Sequence, residues 1–392
     1  ILSFISIIAL SFSFAACEGI FDNLEGDKTK LDGDYLAQSE AGLSRMMADV
    51  YASIPMGAFA NGDKSTDNAV DTHGTGVYNS TPGFWNYTTM RDVNNLINIG
   101  FIGLGQQAIN LMNGFITLDE VRVVAGADVY DIKRNRFEQR VNKYYADKGI
   151  KNKLDIYIDY QDILARPDID AVVIATPDHW HAIMAIDACK AGKDVYLEKP
   201  MTFTIFEGQE LVKAVRNNGR ILQVGCQQRS DSAFKHAVKM VQDGVIGKVK
   251  TVKAQFGAAP TPYDLPRHQI PAGLDWDKWL GPLPLYIHFS NDMDPIISLN
   301  PRQDEQCWGA WRWYRETGGG FTTDWGAHMI DIAQWGIGMD GRGPVKVIPA
   351  GVDGAEYMTW IYDNGVVMTH EDLPVSQENG VRFEGEKGWI EV

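Results

Sequence analysis

Residues Asn98-Ile99-Gly100-Phe101-Ile102 read as a short strand that runs straight into Gly103-Leu104-Gly105-Gln106-Gln107-Ala108, with a helix expected to follow through Met112. Few patterns constrain a chain more tightly. The first glycine permits a tight turn, the second lets backbone approach a diphosphate, and a small third residue lets the helix pack on the strand. The helix then begins with free N–H groups aimed at an anion. Gly103, Gly105, Gln106, Gln107 and Ala108 are therefore candidate cofactor-binding residues. A glycine turn of this kind also occurs in ordinary loops, so its surroundings must carry the inference.

The surroundings repeat a strand–helix alternation. Residues 121–127 read as a second strand, and Asp128 stands at its end, where an acidic side chain can bind the adenosine ribose hydroxyls. A carboxylate there repels a 2′-phosphate, which favours NAD over NADP; Lys133, Arg134 and Arg136 weaken that preference without reversing it. Residues 162–166 end a preceding helix before Pro167. Strand-like 171–175, a helix around 181–192, a strand at 194–197, a helix at 205–217 and a strand at 221–225 continue the pattern of a parallel, doubly wound Rossmann sheet over 98–226. Thr176-Pro177-Asp178-His179-Trp180-His181 and Glu198-Lys199-Pro200 each follow one of these strands. Ligands bind beyond the carboxyl ends of such strands, so both clusters should face one crevice, with Thr176, Pro177, His181, Glu198 and Lys199 as candidate cofactor contacts.

The second half carries Gly318-Gly319-Gly320-Phe321-Thr322-Thr323-Asp324-Trp325-Gly326-Ala327-His328. On a helix, Trp325, Met329 and Ile332 form an apolar stripe, and Asp324, His328 and Asp331 share the stripe beside it. Just upstream, Trp308, Trp311, Trp313 and Tyr314 are interleaved with Arg312 and Arg315. Aromatic faces stack on sugar C–H surfaces, so Trp308, Arg312 and Trp313 are candidate substrate contacts, although buried tryptophans in such a cluster serve packing as readily. Gln227, Gln228 and Arg229, after the last strand of the first sheet, are placed at the same cleft. Residues 274–282 read as structural. Strand patterns near 346–352, 357–362 and 366–370 suggest a second sheet.

The glycine turn, T-P-x-x-x-H and E-K-P together resemble the Gfo/Idh/MocA oxidoreductase family, and the resemblance extends from about 98 to 392. It implies an NAD-dependent oxidoreductase acting on CH–OH groups, with an α+β domain (227–392) built on an open, mostly antiparallel sheet through which family members form homo-oligomers. It also implies that Lys199 lies between nicotinamide and the substrate hydroxyl, held there by Glu198 and Pro200, with Lys199–Pro200 a candidate cis peptide. Asp324 and His328 match the family's Asp and His at four-residue spacing, the imidazole acting as general base and the carboxylate orienting or tuning it. No metal is expected.

The first hundred residues read differently. Residues 1–16 form an apolar run of signal-peptide type, too short to span a bilayer, and its small residues before Cys17 resemble a lipobox in which that cysteine is lipidated; a buried N-terminal element with an incidental cysteine is the alternative. The chain opens on Ile rather than Met, so its start reads as clipped. Leu43, Met46, Met47, Val50, Tyr51 and Ile54 recur at helical spacing. With Cys17-Glu18, Ser65-Thr66-Asp67-Asn68, Phe84-Trp85-Asn86-Tyr87 and Arg91-Asp92-Val93-Asn94-Asn95, residues 17–97 resemble the N-terminus of RagB/SusD-like outer-membrane glycan-binding lipoproteins. Without the helical-repeat scaffold of that family, this stretch is expected to be a poorly packed extension, joined near Asn98 by a gene fusion or as a chimeric sequence. The chain's last residues fall within what reads as a strand pair, so the second sheet is expected to be incomplete.

Charge narrows the partners. A net charge of −15 with 36 Lys and Arg in 392 residues excludes a nucleic-acid partner, which needs a concentrated basic face. A sugar or polyol fits, in carbohydrate metabolism. Four scattered cysteines give neither zinc spacing nor a disulfide framework. Three functions follow: an NAD-dependent sugar or polyol dehydrogenase, an NAD-dependent redox-elimination glycosidase, and a non-catalytic glycan-binding lipoprotein with a vestigial Rossmann fold. Export through Cys17 would place the chain in the periplasm or at the outer membrane and favour the glycosidase, whose cofactor regenerates itself. Without export, the chain is cytoplasmic.

Overall fold

The structure, a computed structural model, describes residues 96–294, 308–373 and 379–392; Cys17, the signal-type run and the SusD-like stretch up to residue 95 lie outside the described residues. Strand β1 (Ile97–Ile102) is followed by α1 (Gln106–Phe115), β2 (Val121–Ala127), α2 (Asp131–Asp147), β3 (Asp155–Tyr157), α3 (Tyr160–Leu164), β4 (Ala171–Ile174), α4 (Asp178–Lys190), β5 (Asp194–Glu198), α5 (Ile205–Asn217) and β6 (Leu222–Gly225). All six strands are parallel, in the order β3-β2-β1-β4-β5-β6. The direction of winding reverses between β1 and β4, and a crevice opens there beyond the strand ends.

The sequence explains why this sheet lies at the centre. Every residue of β4 and β5 is buried, as strands covered on both faces require. Two apolar layers flank the sheet. One packs Ile174, Ala185, Leu197 and Leu211 together; the other packs Phe101, Met112, Phe115, Phe137 and Tyr196. Burying each such side chain is worth about 1.5–3 kcal/mol. At Gly126 an added Cβ would lie 3.0 Å from the Phe137 ring, so a larger residue there would push α2 off the sheet.

A 3-10 turn (Gln227–Ser230) leads from β6 into α6 (Ser232–Gln242) and β7 (Val249–Gln255); α7 (Trp276–Leu280), a second 3-10 turn (Ala310–Trp313), α8 (Gly320–Thr323) and α9 (Trp325–Gly336) follow. Four more strands, β8 (Lys346–Ile348), β9 (Thr359–Ile361), β10 (Val367–His370) and β11 (Gly380–Gly385), precede β12 (Gly388–Glu391). The second sheet runs β12-β11-β7-β10-β9-β8 and is antiparallel throughout except for the β7–β10 pair. Helices α6 and α9 cover it, with Met329, Ile332 and Ala333 of α9 packed on Val252, Trp360 and Phe383. The doubly wound sheet and the mostly antiparallel second sheet are both as the sequence indicates.

A fourth apolar cluster packs residues between β7 and α8 against Tyr130 after β2. Trp276 and Trp279 stack at 4.8 Å beside Leu274, Phe289, Met293, Trp311 and Tyr130. Backbone hydrogen bonds from Asp131 N to Gly273 O (3.0 Å) and from Asp275 N to Val129 O (3.0 Å) stitch this layer to the end of β2. Residues 274–282 are thus structural, as read, and they hold the roof of the crevice in place. Among the described residues no helix is long and apolar enough to cross a membrane.

Candidate active site

The glycine turn has the form a diphosphate needs. Gly103 has φ +78°, and a Cβ on it would lie 2.8 Å from Ala175 O and from Thr176 Cγ2. Only glycine fits there without strain. A Cβ on Gly105 would meet nothing within 4 Å, so its backbone faces open space. Helix α1 starts next, with no side-chain cap and no acidic residue in its first turn. Its leading N–H groups and positive dipole end are left to an anion. Ala108 is fully buried against the sheet and off the cavity wall, so it serves packing rather than contact.

Asp128 accepts hydrogen bonds from Leu104 N (Oδ2, 2.7 Å) and Tyr130 N (Oδ1, 2.9 Å). These bonds aim its carboxylate beside the turn while leaving a lone pair on each oxygen for a ribose. Burial raises its pKa, against the pull of Lys133 and of the two backbone donors.

A cavity of about 930 Å³ runs from this turn along the strand ends. Gly103, Gly105, Gln106, Gln107, Asp128, Thr176, Pro177, Glu198, Lys199, Trp308, Arg312, Trp313, Asp324 and His328 all line it. The residues that the motifs placed in one crevice are therefore brought together, with three exceptions: Ala108, His181 and Arg229.

Lys199 stands at the end of β5, and its peptide bond to Pro200 is cis, as the motif suggested. Its ammonium group donates to the Asp324 carboxylate and, at 3.3 Å, to Asp324 O. Both side chains are less than one-fifth exposed. Glu198 is fixed separately: its Oε1 accepts from Gln107 Nε2 (2.9 Å) and from Gln227 Nε2, and its Oε2 accepts from Lys199 N (3.2 Å). Burial raises the Glu198 pKa, partly offset by Gln107 and Lys199.

Asp324 precedes α9 and His328 lies one turn on. Asp324 acts on His328 through its charge, and its own hydrogen-bond partner is a longer-range one. The carboxylate turns to Lys199, 125 residues away in sequence, because an ammonium ion satisfies a buried charge better than a neutral imidazole does. Burial would raise the Asp324 pKa, but Lys199 and Arg312 outweigh it and hold it below the usual range. His328 is 6% exposed and its Nδ1 has no hydrogen-bond partner. Burial, then the Lys199 charge, push its pKa down to about 3, against Asp324. The ring is neutral, with Trp325 edge-on at 5.6 Å.

His181 is a correction to the cofactor contacts. It is 1% exposed and lies behind the wall, with Nδ1 2.6 Å from Pro200 O and Nε2 2.9 Å from Thr176 O. It ties the two strand-end loops together, one of which carries Lys199. Arg229 corrects the substrate contacts. It pairs with Asp331 (2.6 and 2.7 Å) and Asp340 (2.7 and 3.1 Å) and covers the Trp335 ring, away from the cavity, clamping the turn after β6 to α9. Two carboxylates match its planar fork better than a hydroxyl does. Its neighbours Gln227 and Gln228 do line the cavity.

Arg312 lies 4.2 Å from the Trp311 ring centre and 4.9 Å from that of Trp308. Among the described residues its guanidinium donates to Gly309 O at 3.3 Å and forms no ion pair. Burial lowers its pKa against Asp324 and Asp178. Trp313 stacks on Phe321 at 4.4 Å.

Asp178 was quoted within its motif but given no role. It is 6% exposed, lines the cavity and makes no hydrogen bond or ion pair among the described residues. Burial pushes its pKa up to about 8, with Lys199 and Arg312 working against that rise. It therefore stays protonated near neutrality and can donate as well as accept. Its place beside the T-P turn was the available signal. No group of three or more His, Cys, Asp or Glu able to hold a metal ion occurs among the described residues.

Comparison with known proteins fits this geometry. Residues 97–226 match the Gfo/Idh/MocA oxidoreductase family, NAD-binding Rossmann fold. Glycosyl hydrolase family 109 protein 2 of Shewanella sp. (strain ANA-3) is 32% identical over 163 residues, covering 41% of this chain and 35% of that protein. The uncharacterized oxidoreductase YrbE of Bacillus subtilis (strain 168) is 32% identical over 154 residues, covering 39% of this chain and 42% of that one. The chain thus spans well under half the length of these relatives. The WlbA dehydrogenase of Chromobacterium violaceum, solved with NADH and UDP-GlcNAcA, superposes with a TM-score of 0.52 at 19% identity, covering 77% of this chain and 75% of that chain. The Bordetella pertussis WlbA dehydrogenase gives 0.50 at 20% identity, covering 76% and 74%; both likenesses are of fold. Residues 97–226 are a Gfo/Idh/MocA family domain with the NAD-binding Rossmann fold.

Proposed function

We propose that the chain is an NAD-dependent oxidoreductase that moves a hydride between a CH–OH carbon of a sugar or polyol and nicotinamide. One observation carries the reading: Lys199, from the first sheet, and His328, from α9, line the same cavity as the glycine turn and Asp128. The turn and the leading N–H groups of α1 would hold the diphosphate, and Asp128 would receive the adenosine ribose. NAD, when bound, supplies the hydride acceptor at nicotinamide C4.

The chain's own groups then handle the proton and the oxygen. His328 is neutral and lines the cavity, so it enters the reaction able to take the hydroxyl proton. Lys199 donates to the same oxygen and stabilises the charge developing there, while Asp324 fixes the ammonium group. Trp308, Trp313 and Arg312 form a sugar-binding wall. A redox-elimination glycosidase is the second reading. The family 109 relatives support it, as does Asp178, a protonated carboxyl in the cavity that can donate to a leaving glycosidic oxygen.

Incubating the full chain with free sugars and with aryl glycosides separates the two. Net NADH absorbance with a free sugar supports the dehydrogenase; aryl-alcohol release without net NADH supports the glycosidase. Lys199→Met and His328→Ala should each abolish turnover while NADH still binds, and retained activity in both would overturn the assignment. The lipobox at Cys17 adds a proposed lipid anchor and an outer-membrane or periplasmic setting. Mass spectrometry of the native protein tests it through a diacylglyceryl-modified Cys17. A homo-oligomer formed through the second sheet is tested by light scattering.

A further inference from the structure

The three basic residues after Asp128 would ordinarily soften a preference for NAD over NADP, because a 2′-phosphate attracts cations. In the structure each already has a protein partner. Arg134 Nη1 donates to Asp128 O at 2.6 Å, and Arg136, 1% exposed, donates through Nη2 to Leu104 O at 3.1 Å. Lys133 donates to both oxygens of Asp294, at 2.7 Å each. The two side chains are 13% and 9% exposed, so water screens this pair little. Asp294 does not belong to the Rossmann domain. It follows Met293 of the aromatic layer that packs on Tyr130 at the end of β2.

Asp128, Lys133 and Asp294 line the cavity together. Lys133 and Asp128 are near enough to feel each other's charge, and Asp294 adds a like charge to Asp128. A 2′-phosphate would stand where the ribose 2′-hydroxyl meets Asp128. It would bring close to two negative charges against two carboxylates, with the nearest ammonium ion already neutralised.

We infer that Asp294 deepens the preference for NAD: by holding Lys133 and adding its own charge beside Asp128, it reinforces the repulsion of a 2′-phosphate that Asp128 begins. Specificity for the unphosphorylated dinucleotide is then partly a repulsive device, supplied from outside the nucleotide-binding domain. The inference rests on the dinucleotide site proposed above, and binding, rather than turnover, tests it.

The full chain is titrated with NADH and with NADPH by tryptophan fluorescence and calorimetry. The wild type should prefer NADH, and Asp294→Asn should strengthen NADPH binding on the order of tenfold while leaving NADH almost unchanged. Lys133→Met/Asp294→Asn should lose most of that gain, because the released ammonium group is gone. Taking the ratio of the two dissociation constants within one preparation cancels any loss of folded protein, and Asp294→Ser provides a second variant with the same expectation. A ratio that moves by less than about twofold in both Asp294 variants overturns the inference, as does a double variant that keeps the full gain. A wild-type chain that binds neither nucleotide overturns the dinucleotide site itself, and this inference with it.

Discussion

Asp178→Asn exchanges a buried carboxyl for a neutral amide of nearly the same shape and so isolates the cost of charging that position. The ordinary aspartate value is 3.8, and burial lifts this one to about 8. Below pH 4 the folded and unfolded chains both hold the proton. Between about 4 and 8 the unfolded chain releases it and the folded chain keeps it. The unfolded state then binds fewer protons, so wild-type stability falls as pH rises through this window. At pH 7 the gap of about three units between the solution pH and the unfolded value costs about 4 kcal/mol if nothing rearranges, and roughly half that if water enters the cavity. Asparagine does not titrate, and every other group is shared by the two proteins. In thermal melts the variant should match the wild type near pH 3.5 and exceed it by about 4–16 °C at pH 7.5. A difference that stays flat with pH, or reverses, would mean that Lys199 and Arg312 already hold Asp178 ionised, and the reasoning would fail.

Three further outcomes follow. Lys199→Met and Asp324→Asn each leave one half of a buried ion pair, so the double variant should be more stable than the sum of the two losses predicts, by about 1–3 kcal/mol in urea melts; simple additivity would show that the pair is solvated. Gly103→Ala forces a Cβ to 2.8 Å from Ala175 O at φ +78° and should abolish NADH binding by calorimetry, whereas Gly105→Ala, which meets nothing within 4 Å, should weaken that binding without lowering the melting temperature. Arg229→Met strands the buried Asp331, which should cost about 3–5 kcal/mol of stability in denaturant melts while leaving the Michaelis constant for a sugar substrate unchanged; a raised constant alone would return Arg229 to the substrate wall.

What was legible in the sequence was what is local. The glycine turn, the T-P and E-K-P loops and the alternation of β-branched strands with helices each sit within a few residues, and each came out where its period placed it. The Asp324–His328 spacing was equally local, and it put both groups on the cavity wall but did not reveal Lys199 as the carboxylate's hydrogen-bond partner. The carboxylate's partner lies in another sheet, and no helical wheel contains it. Arg229 failed for the same reason: Asp331 and Asp340 are more than one hundred residues away in sequence. His181 was read as a contact because its motif lines the cleft, yet on α4 its ring points behind the wall toward Pro200. Asp178 shows the converse. An unpartnered carboxyl is defined by what fails to surround it, and a sequence records neighbours rather than absences.

The ion pair between the end of β5 and the start of α9 has a mechanical side. Lys199 follows β5 of the first sheet and Asp324 precedes α9, which packs on the second, so any motion that parted the two halves would pull a buried cation from its anion and wet both. The pair therefore resists such a motion with the same atoms that would do the chemistry. A ligand that wedges between them, or a salt that competes for either charge, should loosen the whole molecule as well as the pocket.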